Sequence, residues 1–129
     1  MRGGRMAKIV LVDDDDYVRS AMVDIIKALE YEVYEIKEPQ EVNEEMIEDI
    51  NPDLIICDFT MPGKNGLQVF ETIVKVFPKT RFLILSGGPG SDQKNQTDFL
   101  EAEQIGLTIL RKPVSIAILK KTIENALMF

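Results

Sequence analysis

Four consecutive aspartates, Asp13 to Asp16, follow directly after an apolar run and are the first residues whose spacing suggests chemistry. Neighbouring carboxylates repel one another by about 1 kcal/mol per pair in water, and by more near a protein surface. Asp15 and Asp16 have a structural explanation, because aspartate is favoured at helix N-termini, where it complements the dipole. Asp13 and Asp14 would stand partly desolvated at the end of a strand. They need a cation or protons as compensation.

Three further polar residues, Asp58, Ser86 and Lys112, stand at or just after the ends of later apolar runs. In an open α/β sheet the carboxyl ends of the strands form the ligand-binding edge, so these side chains are expected to meet Asp13 and Asp14 there. Clustered carboxylates bind a hard cation such as Mg²⁺, which retains sites for water and phosphate oxygens. Together with a hydroxyl and an ammonium, they suit phosphoryl transfer to an aspartyl nucleophile. Asp58 is the candidate nucleophile.

Five short apolar runs supply the strands that would position this set, and segments of helical length separate them. The runs are 8–12, 32–36, 54–57, 81–86 and 107–110. This alternation predicts an α/β fold with a parallel sheet covered by helices on both faces. The continuously apolar runs at 9–12, 54–57 and 82–85 predict central strands, whereas the alternating run at 32–36 predicts an edge strand.

Helical periodicity in the intervening segments predicts the faces that pack on the sheet. The expected apolar positions are Val18, Met22, Ile25, Ile26 and Leu29 in the first helix; Val42, Met46 and Ile50 in the second, which would start after Pro39; Leu67, Phe70, Val74 and Phe77 in the third, which would stop before Pro78; and Ile116, Leu119, Ile123 and Leu127 in the fifth. The fourth segment, 91–103, has few apolar anchors and is the candidate mobile element.

Length and composition favour one domain and exclude several functions. The 129 residues carry 22 Asp and Glu against 15 Lys and Arg, a net charge of −7, which argues against direct binding to nucleic acid or an anionic membrane. No apolar run approaches the ~20 residues needed to span a bilayer. The lone Cys57 is expected to be a buried small hydrophobe in a reducing cytoplasm, and the absence of histidine argues against zinc. Residues 1–6 read as a leader or tag remnant, which leaves 7–129 as the domain.

Four motifs in this order carry a family resemblance: "VLVDDDD", "PDLIICDFTMPGKNG", "FLILSGG" and "LRKPV". Together the motifs are similar to the receiver domain of two-component response regulators, over essentially all of residues 7–129. The resemblance implies a flavodoxin-like fold, a five-stranded parallel sheet of order 2-1-3-4-5 with five helices on both faces. It also implies a cis peptide bond between Lys112 and Pro113.

The resemblance assigns a role to each site residue. Asp58 would be the phosphoacceptor, Ser86 would donate its hydroxyl to a phosphoryl oxygen, and Lys112 would bridge the phosphoryl group and the acidic cluster. The ligands of Mg²⁺ would be Asp14 directly, Asp13 through water, Asp58, and the backbone carbonyl of Thr60.

The resemblance also implies the partners. A sensor histidine kinase or a phosphotransfer protein would supply the phosphoryl group, and a downstream effector or an output domain would receive the signal. Phosphorylation-dependent dimerisation is a further expectation. The domain would not be an enzyme beyond catalysing its own phosphorylation and dephosphorylation.

Three positions depart from the family pattern, among them Gly106, which stands one residue nearer the lysine than usual, and several alternatives stay open. Ile109 and Val114 stand where aromatic residues are common in the family. Taken singly, Ser86 could cap a helix, Lys112 could be an ordinary surface residue, and Asp58 could open a turn. A haloacid-dehalogenase-type phosphatase also uses an aspartyl nucleophile and Mg²⁺, but its nucleophile belongs to a D-x-D signature on the first strand, whereas here Asp58 is on the third strand and Thr60 stands two residues on. A degenerate receiver acting as a binding module is the third alternative.

Overall fold

Five strands alternate with five α-helices along the chain. The computed structural model describes residues 6–128, so most of the predicted leader lies outside the described residues. The strands are β1 (Lys8–Val12), β2 (Glu32–Ile36), β3 (Leu54–Asp58), β4 (Phe82–Ser86) and β5 (Thr108–Arg111). The helices are α1 (Asp16–Ala28), α2 (Glu44–Ile50), α3 (Gly66–Val74), α4 (Gln93–Gln104) and α5 (Ile116–Met128), and a turn of 3-10 helix spans Pro39–Glu41.

The strands form one parallel sheet in the order β2-β1-β3-β4-β5, as predicted. The chain therefore moves to one side of β1 for β2 and to the other side for β3, which is the switch point in strand order that forms ligand sites in such folds. Val12 pairs with Cys57, and Cys57 pairs with Ile84, so the carboxyl ends of three strands lie side by side. The residues that follow these strands are brought to the same edge.

Helices cover both faces of the sheet. Alternate residues of the central strands, including Leu11 and Ile56, pack with α1 and α5 on one face. The other residues, including Val12 and Cys57, pack with α2 and α3, and a neighbouring cluster around Phe59 packs with α4. The continuously apolar central strands are buried on both sides, which confirms the sequence prediction. Within residues 6–128, no helix has both the length and the apolar character needed to cross a membrane.

The second helix begins later than predicted. Pro39 starts only the short 3-10 turn, and Val42 is buried but precedes α2. The side chain of Asn43 accepts a hydrogen bond from Met46 N and thereby caps α2. Met46 and Ile50 pack on the core as predicted, and Ile47 is the buried residue of this helix. The prediction that Val42 belongs to the helix was wrong, because Val42 precedes its first residue.

The packing faces of α1, α3 and α5 also differ in part from those that the sequence periodicity predicts. α3 ends at Val74, before the predicted Phe77, and its buried face includes Val69 and Ile73. Leu67 and Phe70 pack on the core as predicted, and the ring of Phe70 contacts that of Phe82 with ring centroids 5.3 Å apart. In α5, Leu119 and Ile123 are buried as expected, but Ile116 is more than half exposed because it occupies the first helical position. In α1, Leu29 is the C-cap residue, and Val23 joins the buried face.

α4 packs through few apolar side chains, as the sequence predicted. Its buried residues are Ala102 and, unexpectedly, the carboxylate-bearing Asp98. Phe99 adds an edge-to-face contact with Phe59, with ring centroids 5.2 Å apart. The helix is therefore held to the rest of the domain by a small mixed contact of apolar and polar groups. Its predicted mobility stays a prediction.

Candidate functional site

Three carboxylates converge at the carboxyl edge of the sheet. Asp13 and Asp14 follow β1, Asp58 is the last residue of β3, and one oxygen of each lies within 4.8 Å of the other two. Asp13 is fully buried, Asp58 is 7% exposed and Asp14 is partly exposed. The strand register produces this proximity, because Asp13 and Asp58 follow the paired residues Val12 and Cys57.

Lys112 brings a positive charge into the same site. Its Nζ lies 2.8 Å from Asp58 Oδ1 and 3.8 Å from Asp13 Oδ2. Its backbone N–H donates to the carbonyl of Ser86 at 2.9 Å, which fixes the position of the residue at the end of β5. The peptide bond between Lys112 and Pro113 is cis, as the resemblance implied.

Burial and the neighbouring charges shift the acidity of these groups. Burial raises the pKa of Asp58 from 3.8 to about 6, although the hydrogen bond from Lys112 opposes the rise. Burial also raises the pKa of Asp13, opposed by the backbone N–H of Asp15 and the charge of Lys112. For Lys112, burial lowers the pKa, but the hydrogen bond and the charge of Asp58 outweigh it, so its pKa is raised. The site stabilises the ammonium and destabilises the carboxylates.

One oxygen of the cluster has no hydrogen-bond donor. Asp13 Oδ1 accepts from Asp15 N at 2.9 Å, whereas the buried Asp13 Oδ2 accepts no hydrogen bond within residues 6–128. Leaving a buried carboxylate oxygen without a donor is costly. The three carboxylates supply oxygen ligands only, and a hard divalent cation is the compensating group that fits such a set.

The other two aspartates of the run are compensated locally, as predicted. Asp15 is the N-cap of α1, and its side chain accepts from two backbone N–H groups of the first turn. Asp16 lies in that turn and pairs with Arg19 at 2.8 Å and with Lys37 at 3.2 Å. These contacts confirm that half of the acidic run belongs to the helix terminus.

The side chains of Ser86 and Thr60 both form hydrogen bonds with the backbone of Gly88. The buried hydroxyl of Ser86 accepts from Gly88 N at 2.8 Å and retains its own hydrogen for donation. Thr60 is exposed, and its hydroxyl donates to the carbonyl of Gly88 at 3.4 Å. The roles of Ser86 and of the Thr60 carbonyl stay predictions. Cys57 is fully buried, as expected, and its thiol donates to the backbone carbonyl of Asp58 at 3.2 Å.

A polar contact that the sequence analysis missed connects the loop after β3 with α4. Asn65 caps α3 through a capping box and is buried. Its Nδ2 donates to Asp98 Oδ2 at 2.8 Å and to Asn95 Oδ1 at 3.0 Å, and Lys94 Nζ pairs with Asp98 Oδ1 at 2.9 Å. Nothing in the sequence distinguishes Asp98 from an exposed helical acid, so only the structure identifies this contact.

Gly66 fixes the distance between α3 and the end of β3. A Cβ at this position would lie 3.1 Å from the backbone carbonyl oxygen of Asp58 and 3.1 Å from the Cα of Phe59. The Gly66 N–H donates to the carbonyl of Phe59 at 2.8 Å. The absence of a side chain therefore lets α3 begin directly against the backbone of the candidate phosphoacceptor.

Comparisons with known proteins agree with this arrangement. The family model described as "Response regulator receiver domain" matches residues 9–124. The chain is 29% identical over 79 residues to the chemotaxis protein CheY of Thermotoga maritima, covering 61% of this chain and 66% of that one. It is also 29% identical over 121 residues to the DNA-binding transcriptional regulator NtrC of Azospirillum brasilense, covering 94% of this chain and 24% of that one.

A solved structure shows the same fold. A response regulator receiver domain protein from Clostridium thermocellum superimposes with a TM-score of 0.80 at 24% identity, over 95% of each chain. The chain spans between 19% and 66% of the length of the first curated relatives that it matches. The sheet order, the acidic cluster and the family match lead to one conclusion: this chain belongs to the response regulator receiver domain family.

Proposed function

We propose that Asp58 accepts a phosphoryl group from the phosphohistidine of a sensor histidine kinase or a phosphotransfer protein, and that the domain signals by a change of conformation. The observation that carries the proposal is the position of Asp58. It ends β3, pairs with Lys112 at 2.8 Å and lies within 4.8 Å of two further carboxylates. An acid so placed has an oxygen for attack and a fixed cation beside it.

The proposed step exchanges one bond to phosphorus for another. A carboxylate oxygen of Asp58 attacks, the P–N bond to the donor histidine breaks, and its electron pair goes to the imidazole nitrogen. Lys112 pairs with Oδ1 of Asp58, which leaves Oδ2 for attack. The Lys112 ammonium can also pair with the negatively charged oxygens of the transferred group. The hydroxyl of Ser86, held by Gly88 N, is free to donate to a phosphoryl oxygen.

Mg²⁺ is the proposed cofactor. Asp13, Asp14, Asp58 and the backbone carbonyl of Thr60 would hold it, Asp13 through water. Support comes from the all-oxygen donor set and from the Asp13 oxygen that accepts no hydrogen bond from any residue between 6 and 128. When bound, the cation supplies neutralisation of the charge on the phosphoryl oxygens. The buried carboxylates then stay ionised at neutral pH, which keeps Asp58 nucleophilic.

Residues 7–129 make up the proposed receiver domain, after a leader of residues 1–6. The proposal includes an effector or output domain that reads the phosphorylated state, and a dimer that forms on phosphorylation. A cytoplasmic location is also part of it, because a buried free thiol such as Cys57 fits a reducing compartment. The domain would catalyse only its own phosphorylation and dephosphorylation.

The test is phosphorylation by a small donor. We expect acetyl phosphate with Mg²⁺ to add one phosphoryl group, detected by intact mass spectrometry, because the aligned groups supply the positioning that the reaction needs. Asp58→Asn should abolish the added mass. Asp49→Asn, which removes an exposed carboxylate of α2, is the matched control and should label like the unmodified protein.

Three results would contradict the assignment. Equal labelling of the Asp58→Asn variant would place the phosphoryl group elsewhere. Repeated hydrolysis of p-nitrophenyl phosphate, at many turnovers per protein, would favour a phosphatase of the haloacid-dehalogenase type. Absence of labelling together with absence of Mg²⁺ binding would favour a degenerate receiver that acts as a binding module.

A further inference from the structure

Arg19, on the first turn of α1, connects three segments around the acidic run. Its Nη1 donates to the backbone carbonyl of Asp13 at 2.9 Å, its Nη2 to Asp16 Oδ1 at 2.8 Å and its Nε to Glu35 Oε1 at 3.0 Å. The side chain is 14% exposed, so most of it is shielded from water. All three donor nitrogens of the guanidinium are therefore engaged.

The contact with the Asp13 carbonyl matters most, because that carbonyl belongs to the peptide unit joining Asp13 to Asp14. A peptide unit is planar, so fixing its carbonyl fixes the direction in which the backbone leaves both residues. The N–H of Asp13 is itself held by the carbonyl of Ile36 at 3.1 Å. Arg19 holds the other side of the residue and leaves little freedom in the backbone that carries the two carboxylates.

The positive charge of Arg19 also affects cation binding, and this effect opposes that of holding the ligands in place. A positive charge near the cluster relieves repulsion among the aspartates, but it also repels an incoming divalent cation. If charge were its only effect on the site, removing Arg19 would strengthen cation binding. If Arg19 orients the ligands, then keeping the charge but losing the planar donor group would weaken binding. The two roles predict opposite outcomes for suitable variants.

We propose that Arg19 is a positioning residue for the divalent cation, and that its guanidinium holds the Asp13–Asp14 peptide unit so that both carboxylates face the site before the cation binds. This inference rests on the proposed function, since it takes Asp13 and Asp14 as the cation ligands. Groups that hydrogen-bond to metal ligands without contacting the metal typically lower metal affinity by about 10–100-fold when they are removed.

The experiment compares Mg²⁺ binding by isothermal titration calorimetry in three variants. Arg19→Lys keeps the positive charge but cannot make the same planar set of contacts, so its Mg²⁺ affinity should fall roughly tenfold or more. Arg19→Gln should also bind more weakly, despite the lost repulsion. Glu35→Gln is the matched control, because it alters one contact of Arg19 and leaves the Asp13 carbonyl bonded. Its affinity should stay within about twofold of the unmodified protein.

A second readout separates positioning from a general loss of structure. Thermal melts without Mg²⁺ establish that each variant is folded. In acetyl phosphate labelling, Arg19→Lys should need more Mg²⁺ for half-maximal rate yet reach a similar rate at saturation, because Arg19 does not contact the reacting atoms.

The outcomes distinguish this inference from the proposed function. Unchanged Mg²⁺ affinity in Arg19→Lys, or tighter binding in Arg19→Gln, would overturn the positioning role while Asp58 is still labelled. An equal loss of affinity in Glu35→Gln would also overturn it, since the Asp13 carbonyl is not the acceptor lost there. Absence of Mg²⁺ binding and of labelling in the unmodified protein would overturn the proposed function, and this inference with it.

Discussion

The raised pKa of Asp58 makes a quantitative prediction about the metal-free protein. A rise from 3.8 to about 6 means that folding favours the protonated acid. At about 1.4 kcal/mol for each pKa unit, the full difference between the two protonation states is about 3 kcal/mol. Asp58 is almost completely buried, so solvent screening does not remove this effect.

The sign follows from where the protons are bound. Between the unfolded pKa near 3.8 and the folded pKa near 6, the native state binds more protons than the unfolded state. Stability therefore falls as the pH rises through this window. For these two values, the contribution of Asp58 to the free energy of unfolding is about 2 kcal/mol greater at about pH 4.5 than at about pH 7.5.

The assay is urea denaturation with EDTA at both pH values, on the unmodified protein and on Asp58→Asn. The variant lacks the titrating group, so it should lack that part of the pH dependence. We expect the unfolding free energy of the unmodified protein, minus that of Asp58→Asn, to be about 2 kcal/mol smaller at the higher pH than at the lower pH. Raising the pH should therefore favour the variant. Using a difference cancels the titration of acids that both proteins share.

A difference that stays constant with pH would refute the reasoning, because Asp58 would then titrate alike in the folded and unfolded chains. A change in the opposite direction would mean that the ion pair with Lys112 outweighs the burial of Asp58. Repeating the measurement with Mg²⁺ at neutral pH should stabilise the unmodified protein more than Asp58→Asn, since one proposed ligand is missing from the variant.

Two further predictions concern the elements around the site. Gly66→Ala should lower the free energy of unfolding by about 1–3 kcal/mol in urea denaturation, because the new methyl group would force the backbone carbonyl oxygen of Asp58 and the Cα of Phe59 to shift; an unchanged midpoint would contradict the close approach. Asp98→Ala should speed amide hydrogen exchange throughout α4, because it leaves buried Asn65 with one fewer acceptor. Lys94→Ala should change this exchange less, since the Lys94 side chain is 67% exposed and Asp98 still accepts from Asn65; equal exchange in both variants would show that Asp98 does not secure the helix.

The meeting of Asp58 with Lys112 was predictable because a parallel sheet brings the ends of its strands to one edge, whereas the strand order was predicted from the family resemblance. Buried strands must be apolar on both sides, so their ends are visible in the sequence as the first charged or polar residue. Parallel strands then bring those ends to one edge. Little side-chain detail is needed for this inference, which is why the acidic cluster followed from residue order alone.

Helix starts and buried polar contacts were less predictable, for two physical reasons. Pro39 and Asn43 are both favourable at a helix N-terminus, and only packing decides that the α-helix begins after Asn43. Asp98 looks like a solvated acid in a polar helix, because its burial depends on Asn65 from another segment. Arg19 likewise reads as a surface cation until its contact with the Asp13 carbonyl is known. Contacts between distant segments leave no periodic signal.

The negative charges of the four consecutive aspartates are compensated by different groups. Backbone N–H groups satisfy Asp15, and the positively charged Arg19 and Lys37 pair with Asp16, so neither aspartate needs a metal ion. The buried Asp13 keeps an oxygen, Oδ2, that accepts no hydrogen bond from the described part of the chain, and the 3.8 Å between this oxygen and Lys112 Nζ exceeds the length of a direct hydrogen bond. The metal-free fold therefore holds its acidic edge at a cost in stability. A bound cation relieves that cost, so the repulsion itself increases the proposed Mg²⁺ affinity.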